Sequence, residues 1–309
     1  MKCLVTGCAG FIGSNLTDQL LEEGHDVTGI DCFTDYYSER IKKENIAPAL
    51  ENSHFVFIAK DILELTTYPE VDVVFHLAAQ AGVRASWGSD FSVYTRNNIE
   101  ASQRLLEYYK DKSLKKFVYA SSSSVYGDVP LPMHEDMRLQ PVSPYGVTKL
   151  AAEHLCHLYW KNFGLPTVSL RYFTVYGPRQ RPDMAINKFV TAILNEKPIP
   201  LYGDGAQTRD FTYVSDIVDA NLKAASSGTP GSVFNIGGGS RITVNDLIRE
   251  LEKNCRRSAK IQFVDQQKGD VKDTLADIRK AESELGWRPR ISLGEGARTY
   301  VQWYLQKVH

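Results

Sequence analysis

The chain has little cysteine: Cys3, Cys8, Cys32, Cys156 and Cys255 are scattered through 309 residues, with no C-x-x-C pair. Their odd number and spacing argue against a disulfide framework and a structural zinc site, and they read as reduced thiols of a cytoplasmic protein. No metal ligand set is expected. Long apolar runs are missing too. Nothing approaches the roughly 18 uninterrupted apolar residues of a membrane span, so no membrane partner is expected. The opening Met1-Lys2-Cys3-Leu4-Val5-Thr6-Gly7 turns into a glycine-rich loop too early for a secretory leader. Neither sign of charge is in excess, since 36 Lys and Arg face 37 Asp and Glu for a formal net charge of -1. Nucleic acid, which calls for a basic patch or stripe, is therefore not an expected partner. Any anionic ligand must be held by a few placed groups. Internal repeats, low-complexity tracts and long linkers are also absent. The remaining composition, 43% hydrophobic and 24% charged, is that of a globular chain with a buried core.

The first half alternates short apolar runs with amphipathic segments. Residues 2–6, 26–30, 55–59, 71–77, 117–121 and 167–171 are rich in Val, Ile, Leu and Phe and read as buried strands. Between them, residues 12–23, 97–109 and 145–163 carry helical periodicity. Near-continuous apolar strands separated by helices predict a parallel sheet covered on both faces, an α/β fold whose ligand lies beyond the carboxyl ends of the strands. After about residue 172, Pro and Gly become frequent, as in Gly177-Pro178, Gly203-Asp204-Gly205 and Gly237-Gly238-Gly239. The division expected is a first domain of residues 1–171 and a smaller α/β region of residues 172–309, with some segments of the second returning to the first. A cleft between the two is the expected place for a small molecule.

Gly7-Cys8-Ala9-Gly10-Phe11-Ile12-Gly13 follows a predicted strand and opens a predicted helix. Glycines there allow a tight turn and close backbone approach to a pyrophosphate, whose charge meets the helix N-terminus. Asp31 ends the second predicted strand. A carboxylate in that place accepts from the adenosine ribose hydroxyls and repels a 2′-phosphate, which favours NAD over NADP. With Thr6 in front, the spacing resembles the T-G-x-x-G-x-x-G loop of short-chain dehydrogenases/reductases. Asp61-Ile62 and His76-Leu77-Ala78-Ala79 match that family as well. The resemblance implies a Rossmann doubly wound parallel sheet and NAD held by Gly7, Gly10, Phe11, Ile12, Gly13, Asp31, Asp61, Ile62, Leu77, Ala78, Ala79, Asn97, Tyr145, Lys149 and Tyr172.

Tyr145 and Lys149 stand four apart on a predicted helix, so both project from one face. A free tyrosine, with a pKa near 10, is a poor base at neutral pH. A neighbouring ammonium favours the phenolate, and a lowering of about three units takes roughly 4 kcal/mol of differential interaction. Ser121-Ser122-Ser123-Ser124 closes the fifth predicted strand, where a hydroxyl can bond both the reacting oxygen and the phenolate. In the family pattern S-S-x-x-V-Y-G, Ser122 takes the place of the triad serine. The resemblance then implies Ser122, Tyr145 as acid/base, and Lys149 bound to Tyr145 and the nicotinamide ribose.

The likeness to the extended branch of the family runs essentially the whole length, through Pro144-Tyr145-Gly146, Arg171-Tyr172-Phe173 and Asp210-Phe211-Thr212-Tyr213-Val214. Within it the chain is most similar to UDP-glucuronate 4-epimerases. That similarity rests on Asp31-Cys32-Phe33-Thr34-Asp35-Tyr36-Tyr37, Ala81-Gly82-Val83-Arg84, and Thr174-Val175-Tyr176-Gly177-Pro178-Arg179-Gln180-Arg181-Pro182-Asp183-Met184-Ala185. It implies a UDP-sugar substrate, UDP-glucuronate before others, contacted by Arg84 and Arg181. Tyr202 would stack on uracil, Arg209 meet the diphosphate, and Asp270 hold the uridine ribose. A homodimer built from two helices of each subunit is implied too, with residues 97–109 and 145–163 as candidates.

Oxidation of a uronic acid at carbon 4 creates a β-keto acid poised to lose carbon dioxide. Hydroxyls of Ser122, Ser123, Ser124 and Thr174 would hold the carboxylate in the ring plane, each bond to a charged acceptor being worth about 1.5–3 kcal/mol. UDP-glucose 4-epimerases and UDP-glucuronate decarboxylases usually have asparagine in place of Thr174, and the decarboxylases typically have glutamate in place of Ser124. Three alternatives stay open on sequence: a UDP-glucose 4-epimerase, an enzyme decarboxylating or dehydrating through the same 4-keto sugar, and an NAD-binding regulator without catalysis.

Overall fold

Apolar strands with no polar face need cover on both sides, and the chain supplies it. The computed structural model describes residues 1–239, 241–265 and 271–308. Its first half runs β1 (Lys2–Thr6), α1 (Phe11–Glu22), β2 (Asp26–Ile30), α2 (Glu39–Leu50), β3 (Phe55–Ile58) and β4 (Val73–His76). Then follow α3 (Phe91–Tyr94), α4 (Ala101–Tyr109), β5 (Lys116–Ser122), α5 (Pro144–Phe163) and β6 (Thr167–Tyr172). The second half adds β7 (Thr174–Tyr176), α6 (Ala185–Leu194), β8 (Pro198–Tyr202), β9 (Thr208–Tyr213), α7 (Val214–Ser227) and β10 (Val233–Ile236). The last elements are β11 (Arg241–Thr243), α8 (Val244–Cys255), β12 (Lys260–Val264) and α9 (Leu293–Val308).

Seven strands form one parallel sheet in the order β10-β6-β5-β4-β1-β2-β3, the doubly wound Rossmann arrangement expected from the sequence. Alternation along each strand deals its side chains to two cores. Cys3, Val5, Phe75 and Val118 pack on one face, and Leu4, Val74, Phe117 and Tyr119 on the other. The seventh strand, β10, comes from the second half and pairs with β6, bringing Asn235 opposite Arg171. Two small sheets, β11-β9-β7 and β12-β8, stand beyond the strand ends and wall the second cavity. Among the described residues no helix is long and apolar enough to cross a membrane.

The helix predicted over 97–109 departs from regularity. Helical structure starts at Phe91, and Thr95–Glu100 forms a π-turn before α4. The Asn98 carbonyl accepts from the Ser102 hydroxyl at 2.6 Å, while its side chain bonds the Gln80 backbone at both ends and Thr148 Oγ1 at 2.9 Å. The widened turn thus ties the loop after β4 to the helix that carries Tyr145. Such π-turns recur at functional sites because they re-aim one side chain.

Candidate active site

β1 ends at Thr6, and the chain turns at Gly7 with φ +71°. A Cβ on Gly7 would come within 2.9 Å of the Ala78 backbone, and one on Gly13 within 2.1 Å of the Gly7 carbonyl oxygen. Only glycine fits either place. The N-terminus of α1 has no capping side chain and no acidic residue in its first turn, so its amides stay open to an anion. Thr6 Oγ1 accepts from Ala78 N at 3.2 Å and pairs with His76 Nδ1 at 2.7 Å, which locks the loop onto β4. Asp31 accepts from Ala9 N at 3.1 Å and Phe33 N at 2.9 Å. Burial pushes its carboxyl up, against those two bonds and the nearby Lys42. Asp61 caps the short turn Ile62–Glu64 through Leu63 N and pairs with Arg96 at 2.7 Å. Every residue the resemblance implied for NAD, including Asn97 and Tyr172, lines this one cleft. A glycine cradle, an uncapped helix end and an acidic ribose site fit a dinucleotide.

The middle of the cleft is formed by α5 and the end of β5. Ser143 caps α5 through Gly146 N at 3.1 Å and Pro144 starts its first turn, which fixes Tyr145 one residue inside the helix. The Ser122 hydroxyl stands beside the Tyr145 phenol, and the Tyr94 ring packs edge-on against it at 6.2 Å. Burial pushes the Tyr145 phenol up; the Ser122 hydroxyl and the Arg181 guanidinium oppose that rise. The opposing cation here is thus Arg181, whereas the sequence argument placed that charge on Lys149. Lys149 lies over the Tyr119 ring at 4.6 Å, and burial lowers it to about 7, against the pull of Cys156 and Glu153.

A depressed lysine makes the unfolded chain bind more protons than the folded one between about 7 and its ordinary value near 10.5. Stability at this residue therefore rises with pH across that window. Lys149→Met is expected to raise the melting temperature of the cofactor-free protein at pH 6.5, and the gain should shrink towards pH 9.5. Parallel melting curves at the two pH values check it, and a gain independent of pH would refute it.

A second cavity of about 610 Å³ opens from the first, a size typical of small-molecule sites. Arg84, Ser122, Ser123, Ser124, Thr174, Arg181, Tyr202 and Arg209 all line it. Ser121 lines it too, but its hydroxyl donates at 2.6 Å to the buried Glu153, and Ser122 Oγ also accepts from Ser124 N at 3.2 Å. The Arg84 guanidinium stands 4.1 Å from the Tyr202 ring centre, and Arg209 donates to the Thr208 and Lys272 carbonyls at 2.9 and 2.8 Å. Asp270, expected at the uridine ribose, lies outside the described residues. Tyr36 and Asp183, which meet at Arg181, sit inside segments quoted above but had not been singled out. Asn98 and Glu153 were missed as well. Nothing local marks any of the four, because each gains its importance from a partner far along the chain or across a turn.

The profile of the NAD dependent epimerase/dehydratase family matches residues 3–237. The chain is 46% identical to an uncharacterized UDP-glucose epimerase of Bacillus subtilis, over 100% of this chain and 99% of that protein. It is 41% identical to the UDP-glucuronate 4-epimerase of Thermodesulfobacterium geofontis, over 99% and 96%. The crystal structure of a Bacillus cereus UDP-glucuronic acid 4-epimerase in complex with UDP-glucuronic acid and NAD superposes with a TM-score of 0.97. It has 46% identity and covers 99% of this chain and 100% of that one.

Proposed function

The chain belongs to the NAD dependent epimerase/dehydratase family, and from that premise we propose that it interconverts UDP-glucuronate and UDP-galacturonate through a 4-keto sugar. The observation that carries this reading is the second cavity, whose lining includes Ser122, Ser123, Ser124, Thr174 and the Arg181 cation. Neutral donors beside a cation suit a sugar that bears a carboxylate.

NAD, when bound, takes the hydride from carbon 4 and gives it back to the opposite face of the ring. The chain does the rest. Tyr145 takes the proton from the carbon 4 hydroxyl as it is oxidised and returns it on reduction. Ser122 bonds the same oxygen and keeps it within reach of the phenol. Arg181 supplies positive charge beside Tyr145, which favours the deprotonated phenol during oxidation, and Lys149, one turn along α5, holds the nicotinamide ribose. Donors from Ser123, Ser124 and Thr174 hold the carboxylate in the ring plane. Loss of carbon dioxide requires the breaking bond to align with the ketone π-system, and the in-plane carboxylate, bonded through its oxygens, keeps that overlap small. Arg84, Arg209 and Tyr202 then fall to the uridine diphosphate end, with residues 1–171 binding chiefly cofactor and residues 172–309 chiefly the nucleotide sugar. A homodimer through α4 and α5 accords with Val147, Leu158 and Phe163 standing half-exposed on α5. Five free cysteines accord with a reducing, cytoplasmic setting.

Purified protein incubated with UDP-glucuronate and no added NAD is expected to yield UDP-galacturonate at unchanged mass. Release of carbon dioxide with a UDP-pentose would refute the role given to Ser124 and Thr174. The Bacillus subtilis relative favours one competing reading, a neutral-sugar epimerase; conversion of UDP-glucose with none of UDP-glucuronate would establish it.

A further inference from the structure

Arg181 lines both the dinucleotide cleft and the sugar cavity, and only about one-fifth of its side chain is exposed. Its Nε and Nη2 donate to the two oxygens of Asp183, each at 2.9 Å, in a bidentate fork. Asp183 Oδ2 also accepts from the Tyr36 hydroxyl at 3.3 Å, and the Tyr36 ring lies 5.7 Å from the guanidinium carbon. Tyr36 is seated in turn against Gly82, where a Cβ would come within 2.3 Å of its hydroxyl.

The backbone on either side of Arg181 is tied down. Arg179 pairs with Asp18 of α1 at 2.7 Å. Gln180 is held by Asn187 of α6 through bonds of 3.0 and 3.1 Å, and reaches the Val175 carbonyl at 3.1 Å. Met184 N donates to the Arg181 carbonyl at 3.2 Å. A fixed loop therefore carries a guanidinium held, among the described residues, by one carboxylate and one aromatic face.

We propose that Asp183, steadied by Tyr36, is an internal anion that occupies Arg181 until the carboxylate of an acidic sugar takes its place. Asp183 is thereby a specificity-determining positioning residue. The inference rests on the UDP-glucuronate reading above. A buried guanidinium without a partner is costly, so Asp183 keeps the empty site intact. Two carboxylates converging on one cation repel each other, so an acidic sugar gains the cation in full only as Asp183 gives it up. A neutral sugar leaves the pair as it stands. Asp183 therefore sets a competition that acidic sugars meet and neutral sugars do not.

Binding is best read in the NAD-loaded Tyr145→Phe protein, where the ligand stays unreacted. Adding Asp183→Asn should tighten UDP-glucuronate about tenfold and leave UDP-glucose within about twofold, by calorimetric titration. Tyr36→Phe, which loosens Asp183 without removing it, should move UDP-glucuronate the same way by about threefold. It also keeps the test alive if Asp183→Asn fails to fold. Weaker UDP-glucuronate binding in these variants, or an equal change for both sugars, overturns the competition. That failure is separable from failure of the underlying reading. If unmodified protein does not turn over UDP-glucuronate, the functional reading falls and this inference with it. If it does turn it over and the variants bind it no better, the inference alone falls.

Discussion

Tyr145→Phe is expected to slow epimerisation of UDP-glucuronate by about 10²–10⁴-fold while NAD and UDP-sugar binding stay near normal. The ring of Tyr145 is half-buried and packs edge-on to Tyr94, so phenylalanine fills the same space and keeps the wall of both cavities. The substitution removes one oxygen, the one beside the Ser122 hydroxyl. That oxygen is the group placed to exchange a proton with the sugar, and proton transfer by a positioned side chain contributes rate in that range. Steady-state rates with UDP-glucuronate and a calorimetric Kd for the same ligand separate the two effects. A variant within tenfold of the parent rate would transfer the proton role to another group. A variant that loses rate and binding together would mean the hydroxyl serves the architecture of the cleft.

Much of this arrangement is legible in the sequence wherever the signal is local. Strands β1, β2, β3, β5 and β6 follow from short Val/Ile/Leu/Phe runs, because such runs suit strands covered by helices, even at the edge, where β3 leaves Val56 exposed. The glycine loop is legible because Gly7 and Gly13 are demanded by contacts within a few residues and with the adjacent β4. Tyr145 and Lys149 share a helix, so their spacing alone puts them together. What escapes is what the fold brings from a distance. The addition of β10 to the sheet depends on its pairing with β6, more than 60 residues earlier in the chain. The π-turn at Asn98 follows from partners on the β4 loop and α5 that no periodicity announces. The hold on Arg181 needs Tyr36 to reach Asp183 across 147 residues.

The electrostatics beneath the catalytic helix lead to the second large effect. Glu153 lies one turn beyond Lys149 on α5 and is 4% exposed; its partner Arg171 on β6 is 3% exposed. Arg171 Nη2 and Nε donate to the two oxygens of Glu153 at 2.6 and 3.1 Å, and Ser121 donates to the same carboxylate at 2.6 Å. Arg171 Nη1 continues to Tyr126 Oη at 2.8 Å, and Tyr126 to Asn235 of β10 at 2.7 Å. One carboxylate thus ties together α5, β5, β6 and β10 behind the active site. Glu153→Ala leaves the guanidinium buried without its counter-charge, a loss of about 3–5 kcal/mol. For a chain of this size that corresponds to a fall in melting temperature on the order of 10 °C. It also withdraws the negative charge that helps keep Lys149 protonated, so NAD-loaded protein should lose activity as pH rises past neutrality earlier than the parent. Glu153→Gln keeps the hydrogen-bond geometry and should lose distinctly less stability. Replacing the pair together, Glu153→Leu with Arg171→Met, removes both charges and should recover much of the loss. Equal melting temperatures for Glu153→Ala and the parent would mean that water reaches Arg171 and that the pair is not the strut its burial makes it.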